Sequence, residues 1–321
     1  MGNEQELKNN KITRVCQYNK LSIWYKGEVT PCCDSLSRMN IGNLKDPDIH
    51  LKIKNFHKEC SCRLYTNRKP LHDEAINIKI IRLHLSQKCQ ADCIMCYHGG
   101  SQNYDYEFYS QAEELIDKYR PEIVELAGGE VTIQKDAMDW LEKIKKTYNI
   151  KYKIITNGCL PLGMIDKIEY LFDVFTVSLV GFQPETYETA MNLDFNKTIS
   201  FLEELSKRNK VTIQLKYLET PINFHEGHLF LDWAVNINAS KIYYHHMRLI
   251  ENLYNLKINY DFWNKVLNRS GIKMKDVLIK NKELLSTKEN YISMQKFCAQ
   301  NFCIDESFLK NNGLSKTVKF V

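Results

Sequence analysis

Six apolar, β-branched runs recur between residues 78 and 247, and the stretches between them carry apolar side chains at helical spacing. The runs cover 78–85, 123–126, 151–156, 173–180, 211–218 and 241–247, and helical segments include 107–119, 136–148 and 199–208. Strand and helix alternating in this way imply parallel strands joined by helical crossovers. Folds of that kind place their chemistry at the C-terminal ends of the strands. The residues just after each run are therefore the first place to look for function.

The first run is followed, three residues on, by Cys89-Gln90-Ala91-Asp92-Cys93-Ile94-Met95-Cys96, three thiols at C-x3-C-x2-C spacing. A cubane 4Fe–4S cluster has four irons, and an all-protein site normally gives each a Cys thiolate. Three Cys on one loop serve three irons and leave the fourth open. Structural zinc usually takes four ligands with C-x2-C pairs, and this loop has one such pair and an outlier. After the second run comes Gly128-Gly129-Glu130. Two residues without Cβ let the backbone approach a ligand closely, and a carboxylate beside them accepts charge-assisted hydrogen bonds from an ammonium group. Thr156-Asn157-Gly158 follows the third run, and Ser178 lies late in the fourth.

In these residues the chain resembles the radical S-adenosylmethionine (SAM) superfamily. Its members hold a 4Fe–4S cluster on CxxxCxxC after the first barrel strand and bind SAM through its amino and carboxylate groups at the open iron. The resemblance implies that Cys89, Cys93 and Cys96 hold that cluster, and that Gly128, Gly129 and Glu130 hold the SAM amino group. The residue before the third Cys is often aromatic in this superfamily. Here it is Met95, apolar and polarizable enough to lie against adenine, with Tyr97 as the other source of that contact. Ser178 matches a position that touches SAM ribose or carboxylate in relatives, and Asn157 is similar at the third strand. A lone Ser or Asn at a strand end otherwise caps or turns the chain.

The implied fold class is α/β, a partial (β/α)6 TIM-like barrel with a small N-terminal metal-binding α+β unit and a helical C-terminal region. The implied reaction is reductive cleavage of SAM to methionine and a 5′-deoxyadenosyl radical, which abstracts hydrogen from the substrate. An external donor such as flavodoxin or ferredoxin supplies the electron. No further catalytic residue is assigned.

A second group of Cys lies near the front. Cys16, Gly27 and Cys32 stand at C-x10-G-x4-C spacing, followed by Cys33, Ile41-Gly42-Asn43-Leu44 and Cys60-Ser61-Cys62. This pattern resembles the opening of SPASM and twitch domains, which carry auxiliary 4Fe–4S clusters and usually follow the barrel. Residues 21–25 and 28–30 read as a hairpin with Gly27 in its turn. Asp46 and Pro47 read as the start of a helix with Ile49, Ile53 and Phe56 on one face. So small a unit lacks core, and a metal staple offsets that. Cys16, Cys32, Cys60 and Cys62 are the expected ligands, with Cys33 a substitute; C-x-C spacing alone does not choose between iron–sulfur and zinc.

These readings divide the chain at 1–77 (auxiliary cluster), 78–250 (barrel) and 251–321 (helical extension). SPASM- and twitch-like relatives often modify peptides, so a peptide substrate is the first expectation. No leader-peptide-binding domain is evident, which keeps a small molecule such as a sugar close behind; a non-enzymatic iron–sulfur or zinc module is the third class. The chain has 321 residues, 44% of them hydrophobic, and lacks a run long and apolar enough to span a membrane. Residues 1–11 are polar, unlike a secretory signal, so a cytoplasmic location is expected. Eleven Cys in such a chain argue for metal rather than disulfides. The net charge of +5 is spread along the chain and gives nucleic-acid binding no support. Cys159, Cys298 and Cys303 read as packing residues, and of His245 and His246 only one can face a substrate.

Overall fold

The computed structural model of the chain describes residues 20–31, 40–59, 78–96, 107–220 and 222–246. Their strands and helices run β1 (Lys20–Ile23), β2 (Glu28–Thr30), β3 (Gly42–Asn43), α1 (Ile49–Glu59), β4 (Ile80–His84), α2 (Glu107–Tyr119), β5 (Ile123–Ala127), α3 (Lys135–Thr147) and β6 (Lys151–Thr156). The second half continues with α4 (Ile165–Leu171), β7 (Val174–Leu179), α5 (Pro184–Met191), α6 (Phe195–Arg208), β8 (Thr212–Glu219), α7 (Gly227–Asn236) and β9 (Lys241–His246). The six strands of the alternating pattern are all present, with ends shifted by no more than a turn's worth of residues.

The chain divides into two compact units. The first comprises Met1–Cys89, Gly100–Thr156 and Tyr170–Val174, the second Gln90–Gly99, Asn157–Glu169 and Phe175–Val321. Strand order within the first is β3-β2-β1-β4-β5-β6, and within the second β7-β8-β9. β1, β4, β5 and β6 pair in parallel, as do β8 and β9, while the β1–β2 and β2–β3 pairs are antiparallel. The architecture is α/β, with mostly parallel strands. The front hairpin is part of it: Lys20–Ile23 lies in register with Ile80–Leu83, so the boundary drawn at residue 77 falls within the first unit.

Alternation along the strands sets the two faces of the first unit's sheet. Leu21, Ile23, Ile81, Leu83, Val124, Leu126, Tyr152 and Ile154 share one face and are fully buried. α3 covers it, placing Met138, Leu141 and Ile144 in the core, and the Tyr152 hydroxyl donates to the Ile144 carbonyl at 3.3 Å. α2 adds Phe108, Ala112, Leu115 and Ile116, and its Glu113 accepts from the Trp140 indole on α3 at 2.9 Å. In the second unit the core gathers Val177, Leu215, Tyr217, Phe201 and Phe230, with Tyr217 stacked on Phe230 at 4.5 Å between ring centres. Asp46 differs in detail from its expected role: its carboxylate accepts from the Asn43 amide and pairs with Lys52 at the loop before α1. Among the described residues no helix is long and apolar enough to cross a membrane.

Candidate functional site

In the first unit, β4 ends at His84 and the chain runs through Leu85 and Ser86 to Cys89. β5 ends alongside it, and the Leu85 amide donates to the Ala127 carbonyl at 3.2 Å. Gly128 has φ +87°, a left-handed value that glycine adopts without cost, and a methyl added there would meet the Ser86 carbonyl. A methyl on Gly129 would overlap the Lys88 carbonyl oxygen. With neither present, the Glu130 amide reaches that same oxygen at 2.8 Å, and the Gln134 side chain donates to it at 3.3 Å. The glycine pair thus braces the residue immediately before Cys89.

Glu130 is fully buried. Its carboxylate caps the single helical turn at Val131–Ile133, accepting from the Thr132 amide at 3.2 Å and hydroxyl at 2.6 Å. The Thr156 hydroxyl, at the end of β6, donates to its other oxygen at 2.8 Å. Glu130 therefore fastens the β5 loop to the next strand, a role the sequence does not signal because Thr156 is distant in the chain.

In the second unit, α5 anchors the rest of the thiol loop. A helix leaves its last carbonyls without internal partners, and here the Ile94 amide donates to the Ala190 carbonyl at 2.9 Å and the Asp92 amide to that of Met191 at 3.2 Å. The Cys96 amide closes a turn onto the Cys93 carbonyl at 3.1 Å. Just before the other end of α5, fully buried Glu226 accepts from the Phe182 and Gln183 amides at 2.6 and 3.2 Å and so fixes the chain entering the helix. Asn157 is buried, and its carbonyl oxygen accepts from the Cys159 amide at 2.9 Å and the Gln90 side chain at 3.3 Å. It holds the loop and closes its own turn. Met95 and Ser178 are half-buried, Cys159 is buried and His245 is exposed.

Cys89, Cys93 and Cys96 are not in disulfides, the first two half-buried and the third exposed. Three thiols on one loop fit the donor set of a three-thiolate cluster with an open iron. Among the described residues no three His, Cys, Asp or Glu side chains form a single-ion site. Tyr97, Cys16, Cys32, Cys33, Cys60, Cys62, Cys298 and Cys303 lie outside the described residues, as does the expected helical region after 250.

Residues 83–218 match the Radical SAM superfamily. The chain is 23% identical over 181 residues to a probable GTP 3′,8-cyclase of Saccharolobus islandicus, covering 54% of this chain and 56% of that protein. It is 24% identical over 170 residues to the Sulfolobus acidocaldarius protein of the same name, covering 51% of this chain and 54% of the relative. The chain thus spans about half the length of the curated relatives it matches. Among solved structures it is similar to Streptococcus suis SuiB bound to S-adenosylmethionine, at TM-score 0.48 and 13% identity over 68% of this chain and 48% of that one.

Sequence reading missed a second feature of the first unit. Arg82, Glu125 and Lys153 stand side by side on β4, β5 and β6, and Lys20 of β1 joins them. A signal existed: Arg82 and Glu125 each stand inside a mostly apolar strand, and charged residues are rarely buried without a partner.

Proposed function

We propose that this chain is a radical SAM enzyme acting on a small molecule. The observation that carries the reading is the thiol loop: C-x3-C-x2-C after a parallel strand, with a Gly-Gly-Glu turn bracing the residue before its first Cys. Cys89, Cys93 and Cys96 would hold a 4Fe–4S cluster and leave one iron for SAM. When bound, the two supply an electron and a 5′-deoxyadenosyl radical that takes hydrogen from the substrate. The chain's own residues position them. Gly128 and Gly129 keep the backbone close to the loop, Glu130 holds that turn to β6 and is assigned to the SAM amino group, and Asn157 fixes Gln90. Met95 or Tyr97 would flank the adenine, with Ser178 near the ribose. The small-molecule reading draws on the relatives, whose name is for a reaction of a nucleotide. A peptide substrate is the second reading, favoured by the SPASM- and twitch-like Cys pattern at the front. In either case Cys16, Cys32, Cys60 and Cys62 are assigned an auxiliary cluster and flavodoxin or ferredoxin the role of donor.

Metal analysis of the anaerobically reconstituted chain tests this. We expect about eight irons per chain for two clusters, falling to about four when Cys89, Cys93 and Cys96 are all changed to Ala. SAM binding should be lost with them. Zinc in place of the residual iron would remove the auxiliary cluster, and iron content unaffected by the triple change would overturn the main assignment.

A further inference from the structure

In the second unit, helix α5 stands between two anchors. At its C-terminal end the Ala190 and Met191 carbonyls, which a helix leaves without internal partners, accept from the Ile94 and Asp92 amides. Cys93 lies between those two amides, so the helix end fixes the backbone on both sides of that thiol. Just before the other end, Glu226 Oε2 accepts from the Phe182 and Gln183 amides, on the segment that feeds α5. Gly181 makes that entry possible. Its φ is +101°, and a Cβ there would come within 2.9 Å of the Tyr187 amide nitrogen.

The Glu226 anchor is itself held. Burying a carboxylate is costly, and the charge-assisted bonds from two backbone amides offset that cost. Glu226 Oε1, equally buried, makes no hydrogen bond and has His225 Nε2 3.5 Å away. The loop that presents Glu226 leaves the end of β8 and is tied down by fully buried Asn223. Asn223 Oδ1 accepts from the Thr220 amide at 2.6 Å, and its Nδ2 donates to the Leu218 carbonyl at 2.9 Å. Its carbonyl accepts from the Glu226 amide at 3.0 Å and the Tyr217 hydroxyl at 3.1 Å. On the receiving side, the Phe182 ring packs against Phe195, Phe230 and Trp233, with ring centres 5.6, 5.9 and 5.2 Å away. α5 has eight residues, a length of about 12 Å, and its fully buried Tyr187 keeps its hydroxyl 3.0 Å from that of Thr198. A short packed helix moves as a rigid element, so a shift at one end is felt at the other.

We propose that Glu226 is a positioning residue for the thiol loop, setting the backbone around Cys93 through α5. The inference rests on the enzyme reading above and adds to it a residue that touches none of the thiols. The carboxylate's charge carries the effect, because hydrogen bonds to an ionised acceptor are the strong ones.

The test reads the loop in two states of the full chain. Before reconstitution, alkylation of Cys93 by iodoacetamide under native conditions is followed by mass spectrometry. After anaerobic reconstitution, iron loss to a chelator is timed. Glu226→Ala, which removes both amide bonds, should speed Cys93 alkylation and iron loss about tenfold or more, the value of hydrogen bonds to a charged group. Glu226→Gln, which keeps the shape and one acceptor oxygen, should shift both in the same direction by less, and it serves if Glu226→Ala does not fold. Leu205→Ala, a cavity in the buried face of α6, supplies a general loss of stability in the same unit and should leave Cys93 alkylation at the wild-type rate. Equal acceleration in Leu205→Ala would reduce Glu226 to a merely stabilising residue and overturn the proposal. So would wild-type alkylation in folded Glu226→Ala, or in Glu226→Gln where the Ala variant does not fold. Alkylation is measured without a cluster, so its outcome is separate from the enzyme reading, which fails instead if iron content survives loss of Cys89, Cys93 and Cys96.

Discussion

Gly129 has no space for a side chain, since even a methyl would overlap the Lys88 carbonyl that the Glu130 amide and Gln134 side chain both use. Gly129→Ala must push this turn away from the thiol loop. We expect a loss of about 1–3 kcal/mol, typical of overpacking, together with a lower yield of reconstituted iron. Denaturant unfolding and iron analysis check both; a variant with wild-type stability and iron content would show that the brace does not matter. The roles proposed for Cys89, Cys93 and Cys96 rest on their spacing alone, and the tight turn at Gly128 and Gly129 was legible because it lies in short-range sequence. The work of Glu130 was not. Its partner Thr156 belongs to another strand, and only the fold brings the two together. Asn157 was placed correctly at a strand end, but its amide is engaged with Cys159 and Gln90.

Between strands, the charged row makes the acid response of the first unit predictable. Burial pushes the Glu125 carboxyl upward, but Arg82, Lys20 and Lys153 outweigh it and hold its pKa well below the usual carboxylate range. A depressed carboxylate contributes stability that is present above its unfolded pKa and lost as pH falls through and below that value toward the folded one. Denaturation at a series of pH values should therefore show stability declining below about pH 4.5, the ordinary glutamate range. Glu125→Gln should make that decline shallower and cost about 3–5 kcal/mol at neutral pH, because the cations lose their partner. An acid limb as steep in the variant as in wild type would contradict this. The strands themselves were legible from apolar period and β-branching, with 151–156 matching β6 throughout. Arg82, Glu125 and Lys153 were each visible inside such a run. Their adjacency was not, because register between strands is set by the sheet and leaves no mark on one strand alone.

At the scale of the molecule, the front hairpin shows how far local reading reaches. Its two strands and the Gly27 turn at φ +80° follow from the residues between 20 and 30. Its parallel pairing with β4 spans a long separation in sequence, which is why it was read as a unit of its own. The proposed activity rests on the loop after β4 and the glycine turn after β5. Production of 5′-deoxyadenosine by the anaerobically reconstituted, reduced chain supplied with SAM measures it most directly. The account predicts that wild type forms 5′-deoxyadenosine and methionine and that Cys93→Ala, with one cluster thiolate removed, forms none. A wild-type protein with a full, reducible cluster that releases no 5′-deoxyadenosine, even with candidate substrates present, would contradict it.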